Sequence, residues 1–290
     1  MLIGVVYFIG VAAMIYPILG DAYMTNSSKT TIQSYVKSVE KRTNHEIDDK
    51  LQKAQQYNEG VKNSLYDEDA AKALNGADGL MCYVEYPELN IYLPVYYGTS
   101  NEVLDKGCGW LEKTSLPVGG KSTHASISGH TGLPNAEMFT RLDNAKVGDV
   151  FNIHVLDRTL VYQVDNINAV TPNDTKHLLV VPDEDYVTLL TCTPYGINDK
   201  RLLVRGKRVS QEDTKTVEQS DSDNNIKEAA ARADDGLQSK IDHDMRIVII
   251  IVIIAVVVFI AACIWLSLIL KRRAKYIRKE PLEEQNEKIG

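Results

Sequence analysis

What this 290-residue chain lacks narrows it first. Its four cysteines, Cys82, Cys108, Cys192 and Cys263, include no C-x-x-C pair, which argues against a zinc ribbon or a thioredoxin-type redox site. It has no basic excess: 32 Lys and Arg stand against 39 Asp and Glu, a net charge of −7 that argues against nucleic acid as a partner. No proline interrupts the stretch between Pro17 and Pro87. With 44% hydrophobic and 24% charged residues the composition is that of a globular protein, neither disordered nor collagen-like. Charge, finally, is missing altogether from residues 2–20 and from residues 247–270.

The second uncharged run, IVIIIVIIAVVVFIAACIWLSLIL, would form a helix about 36 Å long. A bilayer core is about 30 Å thick, so residues 246–270 are expected to span a membrane, with Cys263 as apolar filler. The basic flank KRRAKYIRK follows, whereas Asp242 and Asp244 precede the run. The positive-inside rule therefore predicts a cytoplasmic tail over 271–290, able to touch anionic lipid, and an exported part before it on the extracellular face of the cell membrane. The tail carries seven cations and four anions, so the exported part is more acidic than the whole chain. The first run, residues 1–20, contains Gly4, Gly10 and Pro17, has no Lys or Arg ahead of it and no A-x-A cleavage site. A retained transmembrane helix or signal anchor is expected over a cleaved signal peptide.

Between the two runs the pattern changes twice. Over 25–76 the residues Ile32, Tyr35, Val36 and Val39, then Ile47, Leu51, Ala54, Val61 and Leu65, recur at three- and four-residue steps among polar neighbours. That predicts a helical segment of one helix or two, with no proline or glycine to break it until Gly60, packed on the main domain rather than free as a coiled coil. Over 77–209 come short apolar runs separated by Gly, Pro, Asn and Asp: LMCYVEY, NIYLPVYYG, HASISGH, GDVFNIHVL, RTLVYQVDNINAV, DYVTLLTC and KRLLVRGKRV. Their spacing predicts an all-β barrel or sandwich, with a hairpin at Asp157-Arg158. Residues 210–245 are polar and read as a linker with a helical piece at KEAAARA. Cys82, in an apolar run, and Cys108, in a Gly-flanked turn, read as buried structural thiols in preference to a bridged pair.

The most informative stretch is VTLLTCTPYGINDKRLLVRGKR, residues 187–208. Alternation puts Val187, Leu189 and Thr191 on one strand face and Thr188, Leu190 and Cys192 on the other. Cys192 ends its strand just before Pro194 and Gly196, at a rim, and the returning strand brings Arg201 back beside it. A thiol nucleophile needs a base and an oxyanion stabiliser, and a guanidinium that stays charged fits the second role. Of six histidines, His45 lies on a polar helix face, His154 within a strand, His177 in a polar loop and His243 before the C-terminal run. His124 and His130 flank the strand HASISGH, and the glycines beside His130 favour it mildly as the base. Zinc held by His124, His130 and Cys192 has no support from spacing.

These residues carry a resemblance. TLLTC followed by an Arg nine residues after the Cys resembles the T-L-x-T-C signature of sortases. GKSTHASISGHTGLPNAEMFTRLDNAKVGDVF is similar to the sortase histidine region, and with YVEYPELNIYLPVYYGT at 83–99 the likeness covers residues 80–209. The C-terminal span and the TCTPYG…RLLVRGKR form resemble class C, the pilin-polymerising sortases. The resemblance implies a closed β-barrel of about eight strands with short helices. It implies Cys192 as nucleophile, His130 as acid/base and Arg201 as oxyanion and substrate stabiliser, with Thr191 supporting the site and Arg205 and Arg208 as ordinary strand cations. The implied reaction is cleavage of an L-P-x-T-G-like sorting signal between Thr and Gly through a thioacyl-enzyme. Transfer to a Lys amine of a pilin subunit follows, with no metal or organic cofactor. A wall-anchoring sortase using a peptidoglycan-precursor amine is the alternative within enzymes. A catalytically silent, membrane-anchored binding module is the alternative outside them. The Asp-Pro-aromatic lid found in many class C sortases is absent, since no Pro lies between 17 and 87. An open site, or a lid of another shape, is expected over a substitute plug at Tyr66-Asp67.

Overall fold

The structure, a computed structural model, describes residues 2–209 and 222–277. Contacts divide it into two units, residues 20–242 and residues 1–19 with 243–290. In the larger unit eight strands close into a barrel: β1 (Leu80–Tyr86), β2 (Ile91–Tyr97), β3 (Cys108–Trp110), β4 (Thr123–Ser128), β5 (Val150–Val155), β6 (Arg158–Val170), β7 (Asp185–Thr193) and β8 (Lys200–Arg208). Around the barrel the order is β1-β2-β3-β4-β7-β8-β6-β5. Closure leaves no unpaired edge. Most neighbours are antiparallel; β2–β3 and β4–β7 are parallel. Every run expected to be extended is a strand, and the hairpin at Asp157-Arg158 joins β5 to β6, with Leu156 in the left-handed region at its turn.

One strand departs from expectation. Cys108 stands in a strand and not in a turn. Its flanking glycines give the segment the composition of a loop, yet they are what lets β3 lie close to β2. A Cβ on Gly107 would meet the Pro94 carbonyl oxygen at 2.7 Å, and one on Gly109 would collide with the Gly98 carbonyl oxygen.

The helical segment also differs in where it breaks. Helix α1 runs Leu2–Glu40 and α2 runs Asn44–Lys62. Between them Thr43 forms a capping box with Glu46: the Thr43 hydroxyl accepts from the Glu46 amide, and the Glu46 carboxylate accepts from the Thr43 amide. An N-cap thus starts a second helix where no proline or glycine marks a break. The stripe itself is buried against the barrel through Ile32, Tyr35, Val36 and Val39 of α1 and Ile47, Leu51, Ala54 and Val61 of α2. Leu65 is not part of it; α2 ends at Lys62, Ser64 takes a positive φ, and Leu65 turns out to solvent. Polar contacts fix the docking. The Tyr35 hydroxyl donates to the Met81 carbonyl at 3.0 Å and accepts from the Leu156 amide at 2.7 Å. Asn58 of α2 exchanges two hydrogen bonds with the backbone of Leu116, and Tyr57 meets Trp110 edge-on. Short helices α3 (Glu68–Ala71) and α4 (Asn101–Leu104) fill connections.

Helix α5 spans Ser222–Ile277, so residues 222–245 of the expected polar linker are helical and continuous with the apolar run. Residues 210–221 of that linker, and 278–290 of the tail, lie outside the described residues. Among the described residues two helices are long and apolar enough to cross a membrane, within Gly4–Glu40 and Asp235–Arg273, with mean hydropathy 1.8 and 3.8. They mark the chain as membrane-associated. In the smaller unit Tyr7 and Phe8 pack on Phe259, and the Tyr7 hydroxyl donates to the Ala255 carbonyl at 2.7 Å.

Candidate active site

Three strand ends meet at one rim of the barrel. Cys192 is the penultimate residue of β7, and its Cα pairs with that of Arg201 near the start of β8. The antiparallel hairpin dictates this register, so thiol and guanidinium come from directly opposed positions. Cys192 is half-buried, and the connecting residues 194–200 are exposed. On the other side β4 runs parallel to β7, Ser128 opposite Leu190. The pairing continues one step past the strand: the Gly129 amide donates to the Leu190 carbonyl at 3.0 Å, and the Thr191 hydroxyl donates to the Gly129 carbonyl at 2.7 Å. The backbone entering His130 is thereby tied to the residues just before Cys192.

The loop after His130 is equally constrained. The Phe139 amide donates to the His130 carbonyl at 2.9 Å, and the Gly132 amide donates to the Thr140 hydroxyl at 3.0 Å. Phe139 is fully buried and lies so close to Gly129 that a Cβ there would sit 2.7 Å from its ring. The His130 ring is partly exposed and its Nε2 stands 3.8 Å from an Asp105 carboxylate oxygen at the end of α4. Asp105 gave no sequence signal, because a carboxylate 25 residues upstream joins the rim only through the parallel β2–β3 crossover. Arg201 Nη1 donates to the carbonyls of Lys200 and Asn198 at 3.0 and 3.3 Å, which ties the guanidinium to its own turn. Tyr195, exposed in the same turn, lies over Gly132, where a Cβ would come within 3.2 Å of its ring. The rim thus holds a thiol, an imidazole beside a carboxylate, and a cation hydrogen-bonded to its own turn.

The other histidines are elsewhere. His124 is buried at the opposite end of β4, its Nε2 2.7 Å from the Thr188 hydroxyl and its Nδ1 2.9 Å from the Leu179 carbonyl. It does not converge with His130 and Cys192. His154 is buried against Glu85 at 2.6 Å with Tyr83 stacked on its ring. His45 and His177 are exposed. Cys82 and Cys108 are free and buried, and burial pushes both thiols far above their ordinary pKa. They pair with the same Val95 from either side, two strands apart, roughly 10 Å and too far for a disulfide. Arg205 makes a bidentate pair with Asp165 and lies over Tyr186, and Arg208 lies over Tyr162, so neither belongs to the rim. Of the residues weighed as a substitute plug, Tyr66 lies under Lys113 and Asp67 caps α3.

A barrel of this topology with this rim is that of a sortase domain, and the sortase-domain family profile matches residues 84–209. The chain belongs to the sortase family, in its class C branch. It is similar to the crystal structure of sortase C-1 from Streptococcus pneumoniae, with 44% identity and a TM-score of 0.59, over 62% of this chain and 98% of that one. It is likewise similar to Clostridium perfringens sortase C solved with the C-terminal cell wall sorting motif, with 46% identity and a TM-score of 0.59, over 62% and 98% of the two chains. Among curated relatives, sortase A of Streptococcus agalactiae is 27% identical over 142 residues, 47% of this chain and 56% of that protein. The chain spans about half the length of the curated relatives it matches.

Proposed function

We propose that this protein is a membrane-anchored cysteine transpeptidase that joins a pilin's sorting signal to a lysine amine of another pilin subunit. Cys192 Sγ, its proton passing to His130, attacks the Thr carbonyl carbon of the Thr–Gly bond in an L-P-x-T-G-like signal. The Arg201 guanidinium, once it turns from the carbonyls of its own loop, stabilises the oxyanion. His130 gives its proton to the departing Gly amine, and a thioester remains on Cys192. A lysine ε-amine then attacks the thioester, His130 takes up the amine's proton and passes it to the departing Sγ, and an isopeptide bond forms as the thiol is released. The observation that carries this reading is the rim itself: Cys192 opposite Arg201, with the His130 backbone bonded to the residues just before Cys192. The C. perfringens sortase C solved with a sorting motif supports the substrate class.

The catalytic barrel, residues 77–209 with the helical segment 25–76 on it, is extracellular in this reading. The span 246–270 anchors it, with the N-terminal helix 1–20 as a second anchor and the tail 271–290 cytoplasmic. The test is intact mass of the full chain in detergent after mixing with an L-P-x-T-G peptide, beside Cys192→Ala, His130→Ala and Arg201→Ala. The expected result is an adduct equal to the peptide's acyl portion, absent in Cys192→Ala and at least 100-fold slower to form in the other two. An adduct that persists in Cys192→Ala refutes the assignment. A lysine-bearing pilin peptide offered against a wall-peptide amine then decides the acceptor.

A further inference from the structure

The loop that follows His130 is held by residues outside the barrel. The Glu137 amide donates to an Asp21 carboxylate oxygen of α1 at 2.8 Å. Lys240 Nζ of α5 lies 2.8 Å from a Glu137 carboxylate oxygen and 2.9 Å from the other Asp21 oxygen. Arg141 closes the group on Glu137 at 3.0 Å. The Lys240 and Asp21 side chains are only 12% and 16% exposed, so this group is far less screened by solvent than a surface pair. Burial raises the Glu137 carboxyl, but the hydrogen bonds from Lys240 and Arg141 outweigh it and hold the group below the ordinary glutamate value.

Backbone contact at this point is close enough to need glycine. A Cβ on Gly20, one residue before Asp21, would stand 2.5 Å from Asn135 Cβ, and one on Gly236 would stand 3.1 Å from the Tyr92 ring. Leu237, one turn before Lys240, is buried within the larger unit. From Glu137 the path to the rim is two residues long: Phe139 donates to the His130 carbonyl and packs on Gly129. Asp21 follows directly on the N-terminal uncharged run, and Lys240 lies seven residues before the C-terminal one.

We propose that Asp21, Glu137 and Lys240 form a juxtamembrane clamp that positions the His130 loop, so that the helices flanking both apolar runs set the geometry of the acid/base. The loop spans Gly129 to Phe139, and Glu137 lies near its end with its amide on Asp21 and its carboxylate shared between Lys240 and the barrel's own Arg141. The three are positioning residues, and the proposal rests on the transpeptidase reading only through His130. A loop released from one side lets the imidazole drift, and a misplacement of about 1 Å is enough to slow a positioned reaction about 100-fold.

The test uses the full chain in detergent, with Lys240→Met and Lys240→Arg. Three quantities are read: thioester formation with an L-P-x-T-G peptide, alkylation of Cys192 by a small thiol reagent, and amide hydrogen exchange of the peptide covering 131–139. Lys240→Met is expected to slow thioester formation about 10- to 100-fold and to raise exchange over 131–139. Cys192 alkylation and strand exchange stay as in the parent chain, and the lost rate exceeds what any fall in melting temperature explains. Lys240→Arg, which keeps the charge, is expected to recover most of both losses. Unchanged exchange in Lys240→Met overturns the clamp. Raised exchange with an unchanged thioester rate overturns its positioning role, as does a loss of rate that merely follows a fall in melting temperature. If the parent chain forms no thioester at all, the transpeptidase reading fails, and exchange alone decides whether the clamp holds the loop.

Discussion

His124 lies near the start of β4 and His130 two residues past its end, six residues apart, and their surroundings send them to different chemistry. His130 reaches a rim where solvent, Asp105 and the end of β7 meet. His124 is sealed between a loop and β7. A carbonyl only accepts, so Nδ1 of His124 carries the hydrogen that goes to Leu179, and Nε2 accepts from the Thr188 hydroxyl. Burial is the largest influence and holds the ring below its ordinary pKa. The Leu179 hydrogen bond and Asp165 pull the other way, and Arg205 adds to the lowering. The unfolded chain therefore binds a proton near pH 6.5 that the fold refuses until lower pH. The stability His124 contributes is complete above about pH 6.5 and is lost as pH falls through its folded value. The melting temperature of the parent chain should drop more steeply from pH 7 to pH 5 than that of His124→Gln, whose amide keeps a donor and an acceptor without titrating. Parallel curves for the two proteins would remove His124 from the acid response. The sequence weighed these two histidines almost equally, since both flank the same apolar run. Only the β4–β7 register separates rim from interior.

At the scale of elements, the strands that alternate over six or more residues were legible from composition alone, because β-branched runs bounded by turn residues have few other folds open to them. β3 was not. It is three residues long, and Gly107 and Gly109 are present for close approach to β2, which gives the segment the composition of a turn. The helical stripe was legible, but its break was not, since a Thr-Glu capping box is a weaker mark in sequence than a proline. The same logic of close approach governs the end of β4. A methyl on Gly129 would meet the Phe139 ring at 2.7 Å and the Cys108 sulfur at 3.2 Å, both fully buried and unable to yield easily. Gly129→Ala should cost about 1–3 kcal/mol by denaturant unfolding, the usual range for overpacking. It should also slow thioester formation more than its loss of stability explains, because the methyl pushes on the residue that leads into His130. A variant that unfolds at the parent midpoint would mean that Phe139 moves aside freely.

On the scale of the whole molecule, the sequence made the site legible in its parts but not in its support. Cys192 and Arg201 are joined by a local hairpin, which spacing alone reveals. Asp105, the Asp21–Glu137–Lys240 group and the covering ring of Tyr195 come together only through closure of the barrel and the docking of α1 and α5, contacts between residues tens to hundreds of positions apart. The ends of the chain follow a different physics, in which charge asymmetry about an apolar run matters more than packing. Lys271, Arg272, Arg273, Lys275, Arg278 and Lys279 follow the run within nine residues, against Asp242 and Asp244 before it. The positive-inside rule predicts the basic flank on the cytoplasmic side. A single reporter cysteine at Gln285 in a Cys263→Ala background tests this in intact cells. A membrane-impermeant thiol reagent should label Cys192 without permeabilisation and the reporter only after it. Labelling of the reporter in sealed cells would invert the chain and put Cys192 inside, away from any substrate at the cell surface. Substituting the six cations by neutral residues should weaken the bias and give mixed labelling, since no other feature near the run distinguishes its two ends so sharply.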